Sequence, residues 1–349
     1  MSNQKIIEDA DQTELEALFN SSAPIDAGIA DDKHASALDS IDLIGIESSD
    51  WATKDAELDN ISSDLSTEIN YRAQLLGSSY PFIINGSSVK LRDSNTNLFY
   101  IFCLIISRSK LKAKKGETAH NQFMARLFEK ITLKLIQKSL GHYAFSHHFG
   151  FPREDGLGIV DAMKQLKPIL KLDYEMNVQL LDYNVRDLTK QKDLGIDQII
   201  WVKRPDLRNH SHLFLLGQCA CGQDYTEKYH DIDLKKLEGY FRPFTYVQPV
   251  KMMSIPFILS DQEIRRVSSS AGWLFDRVSL SSLYMKYDDI KAEYQPQLIE
   301  LISNSTPHGE KFKASFYYET LTKVDESSHS DTEDIPEIIP IMEASKEKS

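Results

Sequence analysis

Two neighbouring segments set oxygen-bearing side chains among apolar ones. GIDQIIWVK (195–203) carries Asp197 at its start, and HLFLLGQCACG (212–222) carries Gln218 near its end. RPDLRNHS joins them, with Pro205 and Asn209 marking a turn. Read as an antiparallel hairpin with Lys203 opposite His212, the register sets Asp197 opposite Gln218. A slip of one residue would send one of them to the other face. Burying a carboxylate and an amide in an apolar sheet is costly unless something binds there. The bland reading makes Asp197 a strand-end residue that bonds a turn.

The elements around this hairpin are legible from their periods. Phe123, Leu127, Ile131 and Leu135 recur every four residues, with Met124, Phe128 and Ile136 alongside. They predict a helix from Glu117 to Leu140, stopped by Gly141. YPFIIN (80–85) and SSVKLR (87–92) flank Gly86 and read as a hairpin. LFYIFCLIIS (98–107) is continuously apolar and must be buried, as helix or strand. HHFGFPRED reads as a turn-rich link before a helix at 158–170, and another helix is expected over 231–239. Met252–Leu259 reads as a strand. Ser260 with Glu263 makes a capping box that opens a helix to Ala271, and Gly272 stops it. WLFDRVSL (273–280) alternates like a further strand. Mixed strands and helices predict an α/β (α+β) fold with a mixed central sheet flanked by helices.

GIDQIIW followed by LLGQCACGQDYTEK, with the upstream helix ending FEKITLKLIQKSLG, resembles the restriction-endonuclease-like nucleases, the PD-(D/E)XK group. IPFILSDQEIRRVSSSAGWLFDRVSL is similar to the tail of uncharacterised bacterial members found near phage-defence genes. The resemblance spans residues 78–282. It implies a restriction-endonuclease-like core and a metal-dependent endonuclease that hydrolyses DNA phosphodiester bonds in restriction or antiviral defence. Carried over by position, the catalytic set is Glu129 from the helix, Asp197, Gln218 and a lysine. Asp197, Glu129, Gln218 and the backbone carbonyl of Cys219 would hold Mg2+, with Mn2+ able to substitute. Asp193 is an alternative to Asp197 as ligand. The usual lysine lies two residues after the Glu/Gln, where this chain has Ala220; Lys228 stands as its displaced counterpart. Without it, the chain would be a catalytically degenerate nuclease-fold subunit that binds DNA or a protein partner. An activity on RNA, or one that only nicks, fits the same residues. Glu129 also has a plain reading, a boundary acid paired with Lys130.

Other constellations carry less. Cys219 and Cys221 form C-x-C with no second pair, short of a zinc site. His142, His147, His148, His210 and His212 lack the i, i+4 spacing of a metal helix. Gly156 and Gly158 are too few for a phosphate loop, and no Walker A sequence is present.

The net charge of −12 over 349 residues is unevenly placed. Residues 1–70 hold 17 acids and 3 bases, and residues 325–349 hold 8 acids and 2 bases, leaving the middle at +8. A basic body suits DNA, with Arg108, Lys110, Lys112, Lys114, Lys115, Arg265 and Arg266 as candidate phosphate contacts. The organisation expected is an acidic arm at 1–66, weakly ordered or partner-binding, with a short helix over 13–19. A nuclease domain at 67–325 and a disordered acidic tail at 326–349 complete it. No apolar run approaches the roughly 20 residues of a membrane helix, and the start lacks a signal peptide. With three cysteines and no disulfide framework, the expectation is a cytoplasmic protein without membrane contact; a homo-oligomer is compatible with it.

Overall fold

A computed structural model describes residues 3–25, 49–92, 96–108, 118–150, 153, 156–171, 175–176, 193–206, 208, 211–241 and 244–306. Its centre is the predicted hairpin. Strands β5 (Gln198–Val202) and β6 (Leu213–Cys219) pair antiparallel, with Ile199 opposite Leu216 and Trp201 opposite Phe214. This is the register read from the sequence. Both strands are apolar on both faces, as an interior strand must be when each face is covered. β4 (Ala144–His148) pairs antiparallel on the β5 edge; β7 (Val250–Ser254) and β8 (Trp273–Phe275) add parallel beyond β6. The order β4-β5-β6-β7-β8 makes a mixed five-stranded sheet.

Helices cover both faces, so the fold is α/β. On one side lie α3 (Leu98–Arg108), α4 (Thr118–Ser139), α8 (Arg277–Lys286) and α9 (Asp288–Ser305). Their apolar side chains meet Ile200, Leu215 and Met252 of the sheet. On the other side, α5 (Ile159–Leu170) and α6 (Leu234–Tyr240) pack on Ile199, Trp201, Phe214 and Leu216. α7 (Asp261–Ala271) closes a third cluster near the β6 end. The apolar run 98–107 resolves as helix: α3 is buried nearly all round, including Phe99, Ile101 and Phe102. Each such large side chain contributes roughly 1.5–3 kcal/mol of apolar burial.

Local signals fix several boundaries. Ser260 accepts from the Glu263 N–H at 3.2 Å and opens α7, and Gly272 ends it, as the capping box predicts. β2 (Phe82–Asn85) and β3 (Ser88–Leu91) form the expected hairpin, joined by β1 (Ser22–Pro24) into a small sheet. Two expectations need correction. WLFDRVSL is a strand only over its first three residues, because Asp276 caps the Ser279 N–H at 2.9 Å and starts α8. Phe123 is half exposed; the buried stripe of α4 starts at Met124.

The largest difference is at the N-terminal end. The segment expected as an acidic arm, weakly ordered or partner-binding, is helical over residues 3–20 and 49–66. α1 (Asn3–Asn20) lies in the core, and α2 (Ser49–Leu76) runs through the expected boundary at residue 66. Two of α1's acids are buried. Asp11 receives hydrogen bonds from Arg72 at 2.7 Å and from both Arg277 nitrogens at 2.8–2.9 Å. Glu14 accepts from Tyr80 at 2.7 Å and Tyr100 at 2.8 Å. The acidic excess that suggested a solvated tail thus contains two paired core charges. Residues 26–48 and the expected acidic tail at 326–349 lie outside the described residues. No helix among the described residues is long and apolar enough to cross a membrane.

Candidate functional site

Glu129 sits on α4 where that helix crosses the β4–β5 end of the sheet. Gln198 fixes the crossing. Its amide nitrogen donates to the Glu129 carbonyl at 2.7 Å and to Thr132 Oγ1 at 2.8 Å, tying β5 to one turn of α4. The Glu129 carboxylate accepts from His148 Nε2, at the end of β4, at 2.8 Å. One turn of helix and two strand ends therefore set the position of this acid.

Asp197 precedes β5 and is held on three sides. Its N–H donates to the Gly217 carbonyl at 2.8 Å, and its carbonyl accepts from Phe149 and Gly150 at 2.7 and 2.9 Å. Its Oδ2 accepts from the Cys219 N–H at 2.8 Å. The chain enters through Gly195 at φ +77, where a Cβ would stand 2.9 Å from the Asp231 backbone. Only glycine meets both demands.

The two carboxylates converge over Gly150. A Cβ placed there would lie 3.1 Å from Asp197 Oδ1 and 3.4 Å from Glu129 Oε2. The missing side chain lets the strand end approach both acids. Part of Asp197 reaches solvent, but most of its surroundings are protein. This desolvation, followed by the negative charge of Glu129, pushes its carboxyl well above the usual range. The Cys219 N–H opposes the shift, Asp193 adds to it, and the Lys228 ammonium weakly opposes it.

The remaining residues divide. Cys219 contributes its backbone at the site, while its thiol points to Thr132 at 3.6 Å. Burial pushes the Cys219 and Cys221 thiols up, so both stand as neutral S–H groups. Gln218 does not join the carboxylates. Its amide nitrogen donates to Asp231 Oδ2 at 2.8 Å, and no hydrogen bond links it to Asp197 or Glu129. Asp193 accepts from the Gly195 N–H at 2.9 Å and shapes the turn into Asp197.

Ala220, where the resemblance would put a lysine, has no room for a solvated ammonium. It is fully buried under Tyr225 and Tyr229, so a lysine there would lose its water. Lys228 lies on the short 3-10 helix, Tyr225–His230, that supplies those two rings. It is half-buried, and its charge reaches Asp197 and Cys221.

Among the candidate phosphate contacts, Arg108 is turned to α1, donating to Gln12 at 3.4 Å. Its neighbour Ser107 accepts from Gln223 at 2.5 Å, so the end of α3 abuts the loop beyond β6. Lys110, Lys112, Lys114 and Lys115 lie outside the described residues. Arg265 is exposed on α7, and Arg266 is engaged with Glu263 at 2.5–2.9 Å. α7 packs through Val267 in the same cluster as Tyr225 and Tyr229, which places these arginines on the flank that carries Lys228.

Three residues escaped the sequence reading: Gln198, His148 and Gly150. Gln198 read as an ordinary strand residue, although a glutamine within IIWV-type apolar sequence needs partners. His148 was noted only for its spacing, and Gly150 only as part of a turn.

The donors fit a small hard cation. Two carboxylates share a desolvated space, the arrangement that Mg2+ uses when waters and phosphate oxygens complete its shell. Among the described residues, no three His, Cys, Asp or Glu side chains gather closely enough to form an all-protein cage. Comparison with family models, curated proteins and solved structures gave no match for this chain.

Proposed function

We propose that this protein is a Mg2+-dependent endonuclease acting on DNA, with Glu129 and Asp197 as the carboxylates that hold the ion. The observation that carries the reading is the convergence of these two acids over Gly150, without an arginine between them. Mn2+ would serve in place of Mg2+, since both take oxygen donors. When bound, the metal would lower the pKa of a coordinated water and offset charge on the phosphoryl oxygens. Asp197 is held ready for this by the Cys219 N–H, which orients one oxygen and leaves Oδ1 towards Gly150. His148 holds Glu129, and Gln198 holds the helix turn that presents it. Lys228 supplies a positive charge that can offset the developing negative charge in the transition state. Gln218 braces Asp231 beside Gly195, one step behind the site, rather than acting as a ligand.

The test is incubation of the full chain with supercoiled plasmid and magnesium or manganese. Nicked or linear product is expected, lost with chelator and lost in Asp197→Ala. Intact plasmid under both metals and at low salt overturns the reading. A non-catalytic, DNA- or protein-binding role is favoured by one specific observation, the commitment of Gln218 to Asp231. A titration in which manganese heat persists unchanged in Asp197→Ala would move the assignment there.

A further inference from the structure

A cleft of about 390 Å³ opens at the β4 edge, beside the carboxylates, and the proposed chemistry uses none of its lining but His148. Its walls differ. One carries Lys130, His147, His148 and Arg153; the other carries Ala162, Leu166 and Ile169 of α5, with the Gln165 amide among them. The cationic wall is continuous with the site, since Lys130 follows Glu129 on α4 and His148 bonds Glu129. Arg153 is held in place: its guanidinium stands 4.4 Å from the Phe149 ring centre and donates to the Leu157 carbonyl at 3.2 Å. Ile169 is half exposed, although an outward-facing isoleucine gains nothing from water.

A volume of this size is in the range of small-ligand pockets, and a cation-lined wall facing a mostly apolar one with a single amide matches a nucleotide. Phosphate oxygens take charged N–H donors, and the π-face of a base takes an apolar surface. The position matters as much as the composition. A strand whose scissile phosphate lay over Asp197 and Glu129 would carry its neighbouring nucleotide past His148 and into this cleft.

We propose that the cleft is a nucleotide subsite: Lys130 and Arg153 take a phosphate adjoining the cleaved one, and α5 takes the attached base. This deepens the nuclease reading and rests on it for the path of the strand. The subsite gives the enzyme a grip on single-stranded or locally opened DNA, because a base can enter only when unpaired.

Binding can be measured without cutting. The full chain in EDTA is titrated into a single-stranded DNA dodecamer, labelled at its 3′ end, and followed by fluorescence anisotropy. Native protein is compared with Lys130→Glu, Ile169→Asp and a control, Lys286→Glu, on exposed α8 surface. Lys130→Glu should weaken binding about tenfold and flatten the salt dependence by about one ion. Ile169→Asp, at a half-exposed position the fold tolerates, should weaken it about fivefold. Lys286→Glu should change it less than about twofold, because screening limits distant charge. Dodecamers with and without a 5′-phosphate separate a terminal from an internal phosphate: a Lys130→Glu effect confined to the phosphorylated strand marks the former. Equal weakening by all three variants, or no binding by the native chain, overturns the subsite. Cleft-directed binding together with a metal-independent, intact plasmid would instead sink the nuclease reading and leave the subsite standing.

Discussion

Two pairs of acidic side chains, one buried and one half-buried, are treated in opposite ways in this protein. Asp11 and Glu14 on α1 are met by two arginines and two tyrosines. Burial would raise the Asp11 carboxyl, but Arg277 and Arg72 outweigh it and hold the group down at about 2. Glu14, without bidentate pairing, is raised by its burial. Glu129 and Asp197 are met by one histidine and one backbone N–H, and Asp197 is driven up. The first pair is a closed structural network. The second is left short of positive charge, and a pair left so is a place where a cation gains most. The same residue types thus end in a closed network or in a spot short of positive charge according to whether the chain supplies their counter-charge.

The sharpest test of that contrast removes an arginine. Arg277→Met should leave Asp11 in the core with Arg72 as its one remaining guanidinium and cost about 3–5 kcal/mol, read by urea denaturation. A loss below about 1 kcal/mol would mean that the network contributes little. Next comes acid. Asp11 has a folded pKa below its unfolded value, so its contribution is present above pH 4 and drains as pH falls through about 2. The stability gap between native protein and Asp11→Asn should therefore narrow by roughly 2 kcal/mol from pH 5 to pH 2. A gap that stays constant would show that the carboxylate is not held down.

At the second pair the signs reverse. Magnesium at ten times its Kd should stabilise the native chain by about 1.4 kcal/mol and leave Asp197→Asn unmoved, seen as a melting-temperature shift. An equal shift in both would place the ion elsewhere. Asp197→Asn without metal should be neutral or more stable by about 0.5–1 kcal/mol, since it relieves repulsion from Glu129. A clear loss of stability in chemical denaturation would make Asp197 a structural residue like Asp11.

The hairpin was legible because its signals are local. Apolar strands, a Pro/Asn turn and the Lys203–His212 offset fix the register that the structure has. The helix that carries Glu129 was legible from its apolar period, whereas Glu129 itself was singled out only by the resemblance. The buried acids of α1 were not, because their partners are distant in sequence. Arg72 is 61 residues from Asp11 and Arg277 is 266 residues away, so composition averaged over the first 70 residues sees only charge. Gln218 misled for a related reason. Its facing position was read correctly, but the acid that captures it, Asp231, arrives from a later loop. Asp276 turned a strand pattern into a helix start by capping, which outweighs alternation over so short a run.

The span between Asp11 and Arg277 also orders events in time. A ribosome adding about 5–20 residues per second needs roughly 10–50 s to make the intervening chain. Throughout that interval the earliest helix has its aspartate without the guanidinium that later caps it on two sides. α1 can dock provisionally on Arg72, but its final seating must wait for α8. Final closure of this buried network is thereby postponed until residue 277 has been made, so the helix made early waits for a partner made late.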